Sequence, residues 1–184
     1  MSYPVLVLNI DNTPFDIWHW QKTMTKLFGN SVMPVYNQDG TIIKHDMVIR
    51  DGKGNRYDLP AIVVLKEYIG THNHIAPYTK SNIYARDMGL CQYCGDETNP
   101  SNRTIDPVIP RAHWNPRRFT FKLSSFENVV TCCRSCNLKK RNRTPQQANM
   151  QLVRKPSRIT RAQAYKNKLS MLTHMPSQWK PYLE

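Results

Sequence analysis

The sequence predicts an α+β fold in two parts, and three observations carry that reading. Short apolar runs alternate with turn residues through the first 70 positions, nearly all the surplus positive charge falls in one later stretch, and two Cys-x-x-Cys pairs lie just before and within that stretch. The chain has 184 residues, enough for one ordinary domain or two small modules. Its apolar content of 40% suits a globular protein, and its 13 prolines suit a loop-rich one.

Taken in order, Pro4–Asn9 (PVLVLN) predicts a buried strand. Asp16–Phe28 places Ile17, Trp20, Met24, Leu27 and Phe28 at helical spacing, with Gly29 as a stop. Strands are expected at Val32–Tyr36, Thr41–Ile49 and Tyr57–Leu65, separated by turns at Gln38–Gly40 and Asp51–Gly54. His72 and His74 flank Asn73 in a loop and read as solvated residues. A short helix is expected over Lys80–Met88, capped by Thr79 or Ser81, and another over Arg134–Lys140. Thr144-Pro145 reads as a helix start running to about Leu152. Residues 153–161 read as a basic linker, 162–175 as a helix, and Trp179–Leu183 as a docking tail. This divides the chain into an N-terminal α+β module (1–78), a central domain (79–152), and a linker with a helical tail (153–184).

Charge is distributed unevenly. Residues 1–102 carry 9 Lys/Arg against 10 Asp/Glu, whereas residues 103–161 carry 14 against 2, a net of +12. A surplus concentrated in a third of the chain predicts a surface facing an anion, most directly nucleic acid. No apolar run is long enough to span a bilayer, and no basic segment leads into an apolar one at the N-terminus. The expectation is a cytoplasmic protein with no membrane partner.

Cys91/Cys94 and Cys133/Cys136 each bend the chain to offer two thiolates to one tetrahedral ion, which predicts a structural Zn²⁺ site. Four thiolates close the coordination sphere, so this ion would hold the fold and do no chemistry. Cys132 is left over and reads as a packing residue. Two basic clusters, Arg111, Arg117, Arg118 and Lys122, then Arg134, Lys139, Lys140, Arg141 and Arg143, read as phosphate-gripping groups. Trp114, Phe119 and Phe121 interleave with the first cluster. They fit either a minor-groove wedge or the packing of a long loop.

The segments CQYCG, TIDPVIPR and ENVVTCCRSCNLKKRNRTP, followed by QQANM, resemble the core of the HNH endonucleases. There the usual text is close to CQYCG, TIDHVIPR and ENVVTACRSCN. The likeness is densest over residues 83–152, and the outlying PVLVLN, YDLPAIVVLKEYI and PSQWKPYL resemble one branch of bacteria and their phages. The resemblance implies a ββα-metal (His-Me finger) core. In it Asp106 and Asn137 would hold Mg²⁺ or Mn²⁺, Asn128 would orient the catalytic base, and double-stranded DNA would be the substrate.

The family's base histidine falls at Pro107 in this chain, and proline cannot accept a proton. His113, six residues on, is a conceivable substitute base, but it reads first as a groove-facing or solvated histidine. The resemblance thus leaves open a homing or phage-competition nuclease that is inactive or impaired, and a nuclease-derived DNA-binding regulator or inhibitor of a host protein. A zinc-ribbon part of a larger nucleic-acid machine is the third reading.

Overall fold

The computed structural model describes residues 3–70 and 74–183. His72 lies outside the described residues, while His74 is exposed. The chain forms two compact units, Met1–His72 with Leu172–Glu184, and Asn73–Met171.

In the first unit, β1 (Pro4–Leu8) and β6 (Ile62–Leu65) pair in parallel, and both are apolar along almost their whole length. That composition suits parallel strands covered on both faces. β2 (Pro14–His19) pairs antiparallel with β1, and β3 (Val32–Pro34) antiparallel with β6, giving the order β2-β1-β6-β3. α1 (Trp20–Phe28) contributes Met24 to a core containing Val5, Val7, Phe15, Trp18 and Val63.

The helix expected from Asp16 therefore begins four residues later. Phe15 and Ile17 are buried with partly buried Asp16 between them, a period of two, and the Asp16 carboxylate accepts from Ile17 N–H (2.8 Å) and Trp18 Nε1–H (2.9 Å). These bonds and the ladder to β1 favour extended backbone.

β4 (Lys44–Arg50) and β5 (Arg56–Pro60) make a separate hairpin, closed by Asp51, whose Oδ1 accepts from Lys53 N–H (2.8 Å) and Asn55 N–H (2.9 Å). The single strand expected over Tyr57–Leu65 is two strands that join different sheets on either side of Ala61. Ala61 also anchors the C-terminal segment: fully buried Trp179, in a 3₁₀ turn at Ser177–Tyr182, donates Nε1–H to its carbonyl at 2.9 Å.

The second unit begins with α2 (Lys80–Arg86), where Thr79 Oγ1 caps Asn82 N–H at 3.2 Å. β7 (Arg103–Pro107) and β8 (Val129–Cys133) form an antiparallel ribbon that leads directly into α3 (Arg134–Lys140). α4 (Arg161–Ser170) opens with a capping box between Thr160 and Gln163, and Asn167 Nδ2 donates to Ala85 O at 3.0 Å. Ile83, Phe126, Val129 and Ala164 share its core.

No helix forms over residues 144–152. Thr144 and Gln147 close a local cap, but Asn149 takes a positive φ of 52° and ends the chain's turn after one cycle. Among the described residues no helix is long and apolar enough to cross a membrane.

Candidate metal centre and active site

The first Cys pair sits on a tight turn. Cys91 N–H donates to Asp96 O (2.8 Å), Gly95 N–H returns to Cys91 O (2.9 Å), and Gly95 takes a φ of +81° that side-chain-bearing residues rarely adopt. The second pair uses the start of α3. Cys133 is the N-cap, and Cys136 N–H donates to its sulfur at 3.5 Å.

The Sγ atoms of Cys91, Cys94, Cys133 and Cys136 all lie within 4.8 Å of one another, with Cys94 and Cys133 4.0 Å apart. Four sulfurs about 2.3 Å from a tetrahedral zinc would be separated by about 3.8 Å. The donor set and spacing thus make a metal site of the kind zinc takes. At Cys133 burial opposes ionisation, but hydrogen bonds from Ser135 and from the Cys136 backbone outweigh it and lower the thiol to about 7. Cys132 is buried beside the cluster and stands outside the group of four.

Asp106 lies one residue from the end of β7, opposite Val130, and is 3% exposed. Tyr93, between the first two cysteines, donates its hydroxyl to Asp106 Oδ2 at 2.6 Å. Burial and the Asp106 charge both push the Tyr93 phenol upward, so it stays a protonated donor. Lys140 Nζ reaches the same oxygen at 2.8 Å and donates to Pro107 O at 2.8 Å.

Lys140 was expected among the phosphate-gripping groups and is instead completely buried. An ammonium taken out of water is costly unless paired, and the Asp106 carboxylate supplies the pair. Asn137 precedes Lys140 by three positions and so shares its face of α3; the side chain is half-buried.

Pro107 closes β7 opposite Val129, at the end of the ribbon, where a missing N–H is tolerated. Asn128 is fully buried and clamps the loop that follows. Its Oδ1 accepts from Ile109 N–H (2.9 Å), its Nδ2 donates to Ile109 O (3.2 Å) and Leu123 O (2.9 Å), and its carbonyl accepts from Val108 N–H (2.7 Å). His113 is exposed and bonds Asn142 O through Nε2 at 3.1 Å, which ties the loop to the segment after α3.

Residues 91–153 match the family model of the HNH endonucleases. This segment is an HNH domain. No curated protein and no solved structure matches the chain.

Around the HNH ribbon and helix, Arg111, Arg117, Arg118, Lys122, Arg134, Lys139, Arg141 and Arg143 are all exposed. Among the described residues, none of the eight pairs with a carboxylate. Arg143 bends back to the carbonyls of Lys139 and Lys140, so part of its donor capacity closes the end of α3. In the linker, Arg158 is paired with Glu127. The three loop aromatics pack on one another, with ring centroids 4.9 Å (Trp114–Phe119), 5.4 Å (Trp114–Phe121) and 5.6 Å (Phe119–Phe121). All three are half-buried, so they form a stacked cluster inside the basic loop.

Two buried charges and a phenol at the HNH core escaped the sequence reading. Arg86 makes a bidentate pair with Asp87 (2.8 Å for both bonds) and donates to Phe126 O (2.6 Å) and Val129 O (2.7 Å). Asp87 Oδ2 accepts from Thr131 N–H at 2.7 Å. The pair thereby fastens α2 to the start of β8. Tyr93 had one signal, its place inside the first Cys-x-x-Cys; Arg86 and Asp87 had none beyond adjacency.

Proposed function

We propose that the chain is a double-stranded DNA-binding protein built on an HNH nuclease scaffold, stapled by zinc and poorly able to cut. One observation carries the reading: eight exposed cations without acidic partners surround the ribbon and helix that hold Asp106 and Asn137. Such groups neutralise phosphates and fix register on a duplex, and supply no sequence reading by themselves.

The residues present accommodate a divalent ion, with few ligands. Among the described residues both partners of the Asp106 carboxylate bond Oδ2, so Oδ1 would be the oxygen for Mg²⁺ or Mn²⁺, and Asn137, on the Lys140 face of α3, would be the other ligand. Bound there, such an ion would supply Lewis-acid stabilisation of a phosphodiester. What is missing is a proton acceptor at the family's base position. The family's base position is Pro107, whose side chain takes no proton and whose carbonyl is occupied by Lys140. His113 donates Nε2–H to Asn142 O, which leaves Nδ1 as its acceptor nitrogen, but it is exposed and lies six positions beyond the family's base position. Loss of a general base costs roughly 10²–10⁴ in rate.

The same observation at Pro107 favours a second reading, a nuclease-derived regulator or inhibitor that binds without hydrolysis, in the cytoplasm of a bacterium or a phage-infected cell. Purified zinc-loaded chain should retard duplex DNA with an affinity that falls steeply as salt rises. It should leave supercoiled plasmid intact in Mg²⁺ or Mn²⁺ over times at which an active nuclease nicks it. A flat salt response removes DNA as the partner, and rapid metal-dependent nicking removes the loss of cutting.

A further inference from the structure

Asp106 is the only acidic side chain in the β7–β8 ribbon, and its negative charge is already spoken for. Lys140 has no exposed surface, and both of its bonds go to consecutive residues of β7, Asp106 Oδ2 and Pro107 O, each at 2.8 Å. Withdrawing it would break an ion pair and a hydrogen bond in a water-excluded site, so the ammonium is a fixture of the fold. Tyr93 adds a neutral donor to the same oxygen and no charge. The other candidate ligand, Asn137, is a neutral amide.

Hard dications are held in proportion to the number and charge of their oxygen ligands. Here the carboxylate and ammonium sum to zero, and the ammonium repels any further cation close by. We infer that Lys140 is an internal competitor for a divalent cation at Asp106, a built-in counter-ion that keeps affinity for Mg²⁺ or Mn²⁺ low. The inference rests on the proposed reading of Asp106 as the residue that faces a metal. It makes Lys140 a positioning residue, acting on the site through Asp106 and not on DNA.

The test is Mn²⁺ binding to the zinc-loaded full chain without DNA, read from the electron-paramagnetic signal of free Mn²⁺. Lys140→Met keeps much of the side-chain volume and removes the charge. It should bind Mn²⁺ roughly ten- to a hundredfold more tightly than the unaltered chain. Adding Asp106→Asn to Lys140→Met should return binding to the weak level. Equal Mn²⁺ affinity of the unaltered chain and Lys140→Met overturns the inference, and so does tight binding that survives Asp106→Asn.

Tyr93→Phe covers the case in which Lys140→Met does not fold. It retains the ammonium and should keep Mn²⁺ binding weak, whereas a gain like that expected for Lys140→Met would make the phenol the obstacle and sink the role of Lys140. Failure of the nuclease-scaffold reading would register separately, as absent DNA retardation with the Mn²⁺ series unchanged.

Discussion

Removing Arg86 should be among the most damaging single changes in the second unit. The guanidinium is 8% exposed and satisfies three acceptors at once: the Asp87 carboxylate through two bonds, Phe126 O, and Val129 O. Arg86→Met leaves Asp87, itself 7% exposed, with only Thr131 N–H as a partner, and strands two buried carbonyls. Breaking one side of a buried ion pair typically costs about 3–5 kcal/mol. For a cooperative unit of this size each kcal/mol is worth about 4–8 °C, so unfolding should fall by on the order of 10–20 °C or more. Denaturant unfolding of the zinc-loaded chain, followed by circular dichroism, would measure it. Adding Asp87→Asn should recover part of the loss, because the uncompensated charge goes with it. A loss under about 1 kcal/mol would refute the reasoning that this pair fastens α2 to β8.

The remaining predictions concern metal, loop, surface and acid. A strong chelator should release close to one zinc per chain and unfold the region around residues 91–145, since structural zinc contributes roughly 10 kcal/mol or more of apparent free energy; a zinc count near zero in purified protein contradicts this. Asn128→Ala should cost about 2–4 kcal/mol by opening the clamp on Ile109 and Leu123, visible as lost amide protection in the loop. Arg117→Gln with Arg118→Gln should lower the magnitude of the log-affinity against log-salt slope by up to about 2, while an unchanged slope places both off the DNA. His45 is held below its ordinary 6.5 by burial, with Pro4 O at 2.8 Å as partial offset. An unfolded chain binds the extra proton first, so the first unit should lose stability as pH falls below about 6.5. His45→Gln should flatten that loss.

What could be read from the sequence was local in character. Thr79 as a cap, Gly29 as a stop, and the α3 boundaries follow from one residue type at one position, and the structure places them there. The four cysteines converge because spacing alone dictates a shared ion. Long-range pairing was less visible. Asp16–His19 carries both periodicities, and only the neighbouring β1 selects the strand. Tyr57–Leu65 is one apolar run that two different sheets divide. Lys140 sits among four exposed basic neighbours in the sequence, and nothing in that run marks the residue whose helical phase turns it inward to Asp106. Buried charges of this kind have no period, and apart from the adjacent Arg86–Asp87 pair their partners lie 33 to 44 residues away.

The most direct test of a nuclease scaffold that binds without cutting is Pro107→His, compared with the unaltered chain on supercoiled plasmid in Mn²⁺ at equal DNA occupancy. The substitution restores a proton acceptor beside Asp106 at the end of β7, and nicking should rise by roughly 10²–10⁴ with little change in DNA affinity. Equal nicking by both proteins, whether absent or fast, would contradict the assignment of Pro107 as the missing base.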